Sequence, residues 1–317
     1  MTVPADASEK PIDAVIARIR AVYGGWTRET PIEQRRHDWE ALLARSNDAV
    51  AGKEVLANGV PCRWIVPEGG TSDAVILYFH GGGYQLGSVR SHAGLIGRIA
   101  RASGCRALGV DYRLAPEHLF PSALHDGLTA YRWLLDQGVA PGRIAVVGDS
   151  AGGNLALAAL ISLRDAGLPL PAAAVLLSPW TDLAATGESY VTRAQADPIH
   201  QRAMILAIAR AYLGRDGDAG DPLASPLRAD LSGLPPLLIQ VGDRETVLDD
   251  SRLLAKTARK AGVEVSLRVW NGMIHVFQLF AEELPEAREA IAAIGGFLAD
   301  RLATGPLESR PEPDPPG

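Results

Sequence analysis

Short, continuously apolar runs alternate with longer amphipathic stretches through the middle of the chain. Such runs are typical of strands that are covered on both faces, and the amphipathic stretches between them predict helices. The predicted strands cover residues 74–80, 106–112, 143–148, 172–178, 236–241 and 263–270, and the predicted helices include 91–103, 122–137, 151–166 and 246–261. The alternation predicts an α/β protein with a mostly parallel central sheet and helices on both faces.

An antiparallel hairpin is predicted just before the first of these strands. Residues 54–66 contain two strand-like runs that are separated by Asn58-Gly59. An Asn-Gly pair favours the tight turn whose twist matches that of two antiparallel strands. The hairpin would therefore add an antiparallel edge to the parallel sheet.

Two segments interrupt the alternation of strands and helices. Residues 11–50 are amphipathic and helical, and the insert from Asp182 to about Leu227 contains a helical stretch at 201–213. We predict that residues 1–50 and this insert form a cap over the carboxyl edge of the sheet, while residues 51–303 form the main α/β domain. Residues 304–317 hold five prolines and no apolar cluster, so they are predicted to be disordered.

Composition and charge exclude several classes of protein. The chain has 317 residues and a formal net charge of −6, with no basic run through which it could bind nucleic acid. No stretch approaches the ~18 apolar residues of a membrane helix, and the first ten residues lack the apolar core of a secretory signal. Cys62 and Cys105 lie in apolar, strand-like runs, where buried free thiols are expected. These features predict a soluble, cytoplasmic protein.

The strongest chemical signal is the sequence Gly-Asp-Ser-Ala-Gly at residues 148–152, between a predicted strand and a predicted helix. In this strand–turn–helix context G-x-S-x-G is a nucleophile elbow, because small residues on both sides of the serine permit the tight turn. The serine hydroxyl then projects above the sheet edge beside a helix N-terminus, whose free N–H groups favour a developing oxyanion. Ser150 is therefore the candidate nucleophile.

A second glycine-rich turn follows the strand at 74–80. His80 begins the sequence His-Gly-Gly-Gly-Tyr, in which the glycines let the backbone approach a substrate and turn its N–H groups inward. The turn predicts an oxyanion hole formed by Gly82 and Gly83, with a further N–H donor from Ala151, the residue after the candidate nucleophile. A nucleotide-phosphate loop is the alternative, but neither glycine-rich segment reads G-x-G-x-x-G and no Gly-Lys-Ser/Thr follows.

Three motifs together resemble one known family. HGGGY at 80–84, DYRLAPE at 111–117 and GDSAGGN at 148–154 look like the hormone-sensitive-lipase-like branch of the α/β-hydrolases, and the resemblance runs from about residue 74 to 302. It implies a bacterial carboxylesterase with the α/β-hydrolase fold, a helical cap and a preference for short acyl chains.

The general base is expected to be His275. In α/β-hydrolases the nucleophile, the acid and the histidine follow one another in that order along the chain. Five of the seven histidines precede Ser150, and His200 lies in the insert, so His275 remains. It follows the strand at 263–270, at the same edge of the sheet as Ser150.

The acid that would orient this histidine follows the strand at 236–241. The family usually places the acid four residues before an Asp-Asp or Asp-Glu pair, commonly as Asp-Pro-Leu. Counting back from Asp249, this position is Glu245, with Thr-Val in place of Pro-Leu. The resemblance indicates Glu245, with Asp243 as the alternative, since either carboxylate can fix the imidazole tautomer. Asp249 and Asp250 are expected to favour the first turn of the following helix.

Several neighbours of these motifs are expected to support them. His80 is expected to hold the oxyanion turn through a hydrogen bond, and Asp149 to order the elbow. Trp180 is expected to line the acyl pocket or to pack below the cap, and Tyr84 either contacts the substrate or packs. No group of His, Cys and carboxylate residues has metal-ligand spacing, so neither a metal nor a cofactor is predicted.

The predicted function is hydrolysis of a small-molecule ester through an acyl-enzyme intermediate. Two alternatives stay open at this point: an amide, lactone or N-acetyl hydrolase that uses the same residues, and a small-molecule receptor without turnover. The strand at 263–270 is expected to form an exposed sheet edge, which predicts a homodimer.

Overall fold

The computed structural model describes residues 10–43, 52–68 and 72–302. The strands are β1 (Gly52–Ala57), β2 (Val60–Ile65), β3 (Val75–Phe79), β4 (Arg106–Val110), β5 (Ile144–Asp149), β6 (Ala173–Leu177), β7 (Leu237–Gly242) and β8 (Val265–Trp270). They form one sheet in the order β1-β2-β4-β3-β5-β6-β7-β8. The pairs β1–β2 and β2–β4 are antiparallel and all the others are parallel, which confirms the predicted architecture.

Helices cover both faces of this sheet. The α-helices are α1 (Pro11–Gly24), α2 (Ile32–Leu43), α3 (Val89–Ser103), α4 (Ser122–Asp136), α5 (Ala151–Asp165), α6 (Ser189–Thr192), α7 (Arg202–Leu213), α8 (Leu248–Lys260) and α9 (Pro285–Leu302). Because successive strand residues point to opposite faces, β3 contributes Leu77 and Phe79 to the core beneath α4, α5 and α8, and Ile76 and Tyr78 to the core beneath α3 and α9. Among the helices described, none has the length and apolar character to cross a bilayer.

The predicted hairpin forms one edge of the sheet. β1 and β2 are joined by Asn58 and Gly59, whose φ angles are 48° and 91°. Both values lie in the left-handed region that this type of two-residue turn requires, and Asn and Gly adopt it most readily. β8 forms the opposite edge.

The nucleophile elbow joins the central strand β5 directly to α5. Ser150, between them, has φ 53° and ψ −117°, a conformation that residues with side chains rarely adopt. A Cβ atom at Gly152 would lie 2.0 Å from the backbone oxygen of Phe79, and one at Gly148 would lie 2.2 Å from the backbone oxygen of Gly152. The close approach of α5 to β3 therefore requires glycine at 152, and the tight turn of the elbow requires it at 148.

The boundaries of two helices differ from the prediction because of polar contacts at their first turns. α3 begins at Val89 rather than at residue 91, since Ser88 caps it: the Ser88 hydroxyl accepts the N–H of Ser91 at 3.1 Å. α8 begins at Leu248 rather than at residue 246, because the N–H of Thr246 donates to a side chain of the insert. The tail at 304–317 and residues 44–50 of the N-terminal segment lie outside the described residues.

Candidate active site

One cavity brings together residues that follow four parallel strands of the sheet. Gly82 and Gly83 come after β3, Ser150 after β5, Trp180 after β6 and His275 after β8. This is the edge at which parallel α/β sheets bind their ligands. The other walls come mainly from α1, α2 and the insert, and include Ile19, Tyr23, Trp39, Leu42, Ile199, His200, Met204, Ile205 and Ile208. The cavity is therefore mostly apolar, with a few polar groups at its base.

The backbone around Ser150 is held from two sides. Its N–H donates to the carbonyl of Leu177 at 2.8 Å, and its carbonyl accepts the N–H of Trp180 at 3.1 Å. Both partners belong to β6 or to the residues just after it. The elbow is thus fixed to the neighbouring strand, and the Ser150 side chain faces the cavity with 8% of the residue exposed.

The glycine-rich turn after β3 lines the same cavity. Gly82 and Gly83 have φ angles of 117° and 63°, which a residue with a side chain would rarely adopt. The carbonyl of Gly82 accepts the N–H of Leu86 at 2.9 Å and so closes the turn. Among the residues described, the N–H groups of Gly82, Gly83 and Ala151 have no hydrogen-bond acceptor. Three donors are therefore available near Ser150.

Asp149 ties the elbow to the glycine-rich turn. One of its carboxylate oxygens accepts the N–H of Gly81 at 3.0 Å and the hydroxyl of Tyr78 at 2.7 Å, and the other lies 3.4 Å from Nε2 of His92. Burial raises the pKa of Asp149, but the nearby His92 and Tyr78 outweigh it and hold the pKa below its usual value. Asp149 thus bonds to the glycine-rich turn as well as forming part of the elbow.

His80 supports the same turn from the inside. Its Nδ1 donates to the carbonyl of Gly81 at 2.8 Å, and its ring stacks on Tyr112 with the centroids 4.3 Å apart. Burial, together with the nearby His92, lowers the pKa of His80 to about 3. A neutral ring of this kind positions the backbone rather than exchanging a proton.

His275 and Glu245 form a close pair at the cavity. Nδ1 of His275 lies 2.7 Å from Oε2 of Glu245, and both residues are buried. Burial lowers the pKa of His275, but the Glu245 carboxylate more than compensates, so that the pKa is raised above its ordinary value. Nε2 of His275 has no hydrogen-bond partner within the described ranges. No hydrogen bond links it to Ser150, although both residues line the cavity.

The contacts of Glu245 distinguish it from the alternative acid, Asp243. Oε1 of Glu245 accepts the hydroxyl of Ser178 at 2.8 Å and the N–H of Gly242. With His275 on Oε2, the carboxylate therefore has three donors. Asp243 instead accepts the N–H of Gly272 at 2.8 Å. The structure therefore pairs Glu245, and not Asp243, with the imidazole.

Tyr84 and Trp180 have different surroundings. The ring of Tyr84 stacks on Tyr212 with a centroid distance of 3.7 Å, and its hydroxyl donates to Asn154 at 2.8 Å. Tyr84 is buried behind the cavity wall, so its contacts favour the packing role over substrate contact. Trp180 lines the cavity, 2% exposed.

The insert contributes two polar residues that sequence reasoning missed. The ring of His200 packs edge-on against His275, with the centroids 4.4 Å apart and an interplanar angle of 86°. Asp197 binds the loop that carries Glu245 through Thr246. Neither belongs to a motif. Both are brought to the site by contacts between the insert and residues 245–275, which are distant in sequence.

The cysteines and the other ligand-type side chains are predicted to form no metal site. Cys62 and Cys105 are buried and free, as predicted. Within the three described ranges, no group of three or more His, Cys, Asp or Glu side chains is arranged to hold a metal ion.

The sheet order, the elbow and the acid–histidine pair at one cavity define a protein of the α/β-hydrolase class. The family model described as the alpha/beta hydrolase fold matches residues 76–279, and the chain therefore belongs to this family. An acetyl-hydrolase from Streptomyces hygroscopicus is 45% identical over 281 residues, which cover 88% of this chain and 93% of that protein.

Solved structures identify the branch of the family. An esterase from the bacterial hormone-sensitive lipase family is 49% identical, with a TM-score of 0.90 over 94% of this chain and 100% of that one. The esterase EstE5, in crystals soaked with p-nitrophenyl butyrate, is 43% identical, with a TM-score of 0.87 over 93% of this chain and 100% of that one. These similarities confirm the resemblance to hormone-sensitive-lipase-like esterases that the motifs indicated.

Proposed function

We propose that the protein is a serine carboxylesterase that hydrolyses short- to medium-chain acyl esters. The observation that carries the proposal is the geometry at the cavity: a serine on a strained elbow and a histidine held by a buried carboxylate line the same space. In this assignment Ser150 is the nucleophile, His275 the base and Glu245 the acid that orients it.

The proposed reaction passes through an acyl-enzyme. His275 takes the proton of Ser150 on Nε2, the ring nitrogen that has no partner in the described part of the chain, while Oγ attacks the ester carbonyl carbon. The carbonyl electrons move onto oxygen, and this oxyanion is held by the N–H groups of Gly82, Gly83 and Ala151. Collapse breaks the bond to the alcohol oxygen, which leaves with the proton from His275. Water then repeats the sequence on the acyl group and releases the carboxylic acid.

The length of the acyl chain is proposed to be limited by the predicted cap, of which the structure describes residues 10–43 and 182–227. α1, α2 and α7 supply apolar walls to the cavity, and α7 lies directly on the oxyanion turn. A Cβ atom at Gly83 would be 2.9 Å from Cγ2 of Ile208. A cavity that is roofed this closely favours short chains, because additional methylenes must displace packed side chains.

Hydrolysis of p-nitrophenyl acetate, butyrate, octanoate and palmitate tests the substrate class. We expect kcat/KM to be highest for acetate or butyrate and at least about tenfold lower for palmitate, since single methylenes are discriminated by about 1–3 kcal/mol in enclosed pockets. p-Nitroacetanilide is the matched amide for the acetyl ester, and we expect much slower turnover of it. Faster hydrolysis of long-chain emulsions would contradict the proposed chain length, and no turnover of any ester would favour the receptor.

We further propose that two copies of the chain pair through β8. This strand is at the sheet edge, and Val269 on it is 41% exposed. Light scattering at micromolar concentration should then give twice the mass of the chain, and Val269→Lys should reduce it to that of one chain. A wild type that stays monomeric at this concentration rejects the pairing.

A cytoplasmic location stays a prediction from the sequence.

A further inference from the structure

Asp197 joins the insert to the loop that carries Glu245. Asp197 is 4% exposed, and its Oδ1 accepts the N–H groups of Ile199 at 2.8 Å and of His200 at 2.9 Å within its own turn. Its Oδ2 accepts both the N–H of Thr246, at 2.8 Å, and the hydroxyl of Thr246, at 3.0 Å. Asp197 therefore makes two bonds to the residue that directly follows Glu245. Ser189 of the same insert makes a third, because its hydroxyl donates to the Thr246 carbonyl at 2.5 Å.

We infer that Asp197 is a positioning residue for Glu245: it fastens the insert to Thr246 and so holds the carboxylate of Glu245 against His275. The inference rests on the proposed function, in which Glu245 orients the base. Glu245 and Thr246 share a rigid peptide unit, so a displacement of Thr246 also displaces Glu245. The 2.7 Å contact between Glu245 and His275 leaves little room for such a displacement.

The residue type at position 246 supports this role. The resemblance described above leads one to expect Asp-Pro-Leu where this chain has Glu245-Thr246-Val247. Proline has neither an N–H group nor a hydroxyl and could make neither bond to Asp197. Glutamate is one methylene longer than aspartate, so its loop needs a different placement to present the carboxylate at the same imidazole. The two donors of Thr246 and the carboxylate of Asp197 provide a means of fixing that placement.

Asp197 also places a second imidazole beside His275. It binds the backbone N–H of His200, and Nδ1 of His200 lies 3.8 Å from its Oδ2. Burial, reinforced by His275, lowers the pKa of His200 to about 3. His200 therefore packs against His275 as a neutral ring. The Asp197 carboxylate adds negative charge near His275.

The titration of His275 gives a second readout, to which the charge of Asp197 contributes directly and the position of Glu245 contributes more. The titratable groups that act on it are Glu245, His200, Asp197 and Asp149. Burial lowers the pKa of His275, and the three carboxylates raise it, with Glu245 acting most strongly. Loss of the Asp197 charge should therefore lower the pKa of His275.

The test is Asp197→Asn, assayed on p-nitrophenyl butyrate between pH 5 and 9. An amide group cannot accept from all four donors, so Glu245 should be slightly misplaced. Because small misplacements of catalytic groups slow the chemical step, we expect kcat to fall by about 10- to 100-fold. KM should change little. The acid limb of the kcat/KM profile should move to lower pH. Thr246→Ser keeps both donors and should retain wild-type behaviour, whereas Thr246→Val loses the hydroxyl bond and should show a smaller decrease in kcat.

Asp182→Asn is the matched control. Asp182 is a buried aspartate of the same insert, and its Oδ2 accepts the N–H of Thr186 at 2.8 Å without contacting Thr246. Its substitution should lower the melting temperature and leave the pH profile unchanged.

The outcomes separate this inference from the proposed function. The inference is overturned if Asp197→Asn has the wild-type kcat and pH profile while Glu245→Gln is inactive. That result leaves the proposed esterase function standing. An active Glu245→Gln variant rejects the acid assignment itself. If Asp197→Asn does not fold, Thr246→Val decides: unchanged kcat overturns the inference, and a decrease without loss of melting temperature supports it.

Discussion

Replacing Ser150 by alanine is expected to abolish ester hydrolysis, with kcat lower by about 10⁴- to 10⁶-fold. In the proposed mechanism the Ser150 hydroxyl is the protein group that bonds to the acyl carbon, and the oxyanion donors cannot form the acyl-enzyme without it. Release of p-nitrophenol from p-nitrophenyl butyrate measures the loss. The initial burst that reports acylation should also disappear.

This variant should fold as the wild type does. Alanine keeps the Cβ atom at φ 53°, so the strain of the elbow is the same, and the Ser150 hydroxyl makes no capping hydrogen bond to α5. Ser162→Ala is the matched control on the same helix, because its hydroxyl bonds, among the residues that the structure describes, only to the Ala158 carbonyl, at 2.9 Å. We expect it to retain full activity. More than about one per cent of wild-type turnover in Ser150→Ala would reject Ser150 as the nucleophile.

The residues that could be predicted from the sequence are those whose chemistry is tied to local backbone geometry. Ser150 and Gly82 lie in turns that only small residues permit, directly after continuously apolar strands, so the sequence shows both the turn and its place in the sheet. His275 could be found by chain order alone. Asn58-Gly59 located the hairpin for the same local reason, a turn that requires left-handed backbone.

Contacts between the insert and the sheet could not be predicted in this way. Asp249 and Asp250 do lie in the first turn of α8, as expected. Asp250, however, also accepts the N–H groups of Thr181 and Asp182 at 2.8 and 2.9 Å, and burial raises its pKa to about 8. Asp249 accepts the N–H of Ser189 at 2.8 Å. These partners are about 60 to 70 residues apart in sequence, and nothing local in the pattern of polar residues distinguishes them from ordinary helix-start carboxylates.

Glu245→Gln should lower kcat by about 10⁴-fold, as loss of the acid does in other triads. Glutamine can present its amide N–H groups to Nδ1 of His275, which then becomes the acceptor and leaves the proton on Nε2. A ring protonated at Nε2 cannot take the proton of Ser150. The pH profile provides a second measurement: activity of the wild type should be lost as pH falls through the raised pKa of His275, and in the variant this limb should lie at lower pH.

Asp243→Asn separates the two candidate acids. Its carboxylate accepts the N–H of Gly272 at 2.8 Å, a contact that an asparagine oxygen can keep, and it does not contact His275. We therefore expect wild-type kcat and an unchanged acid limb. Glu245→Asp shortens the side chain by one methylene while its oxygens must still reach Ser178, Gly242 and His275, so intermediate activity is expected. If Asp243→Asn were inactive and Glu245→Gln active, Asp243 would be the acid, and the buried contacts of Glu245 would serve only to join β6, β7 and the loop after β8.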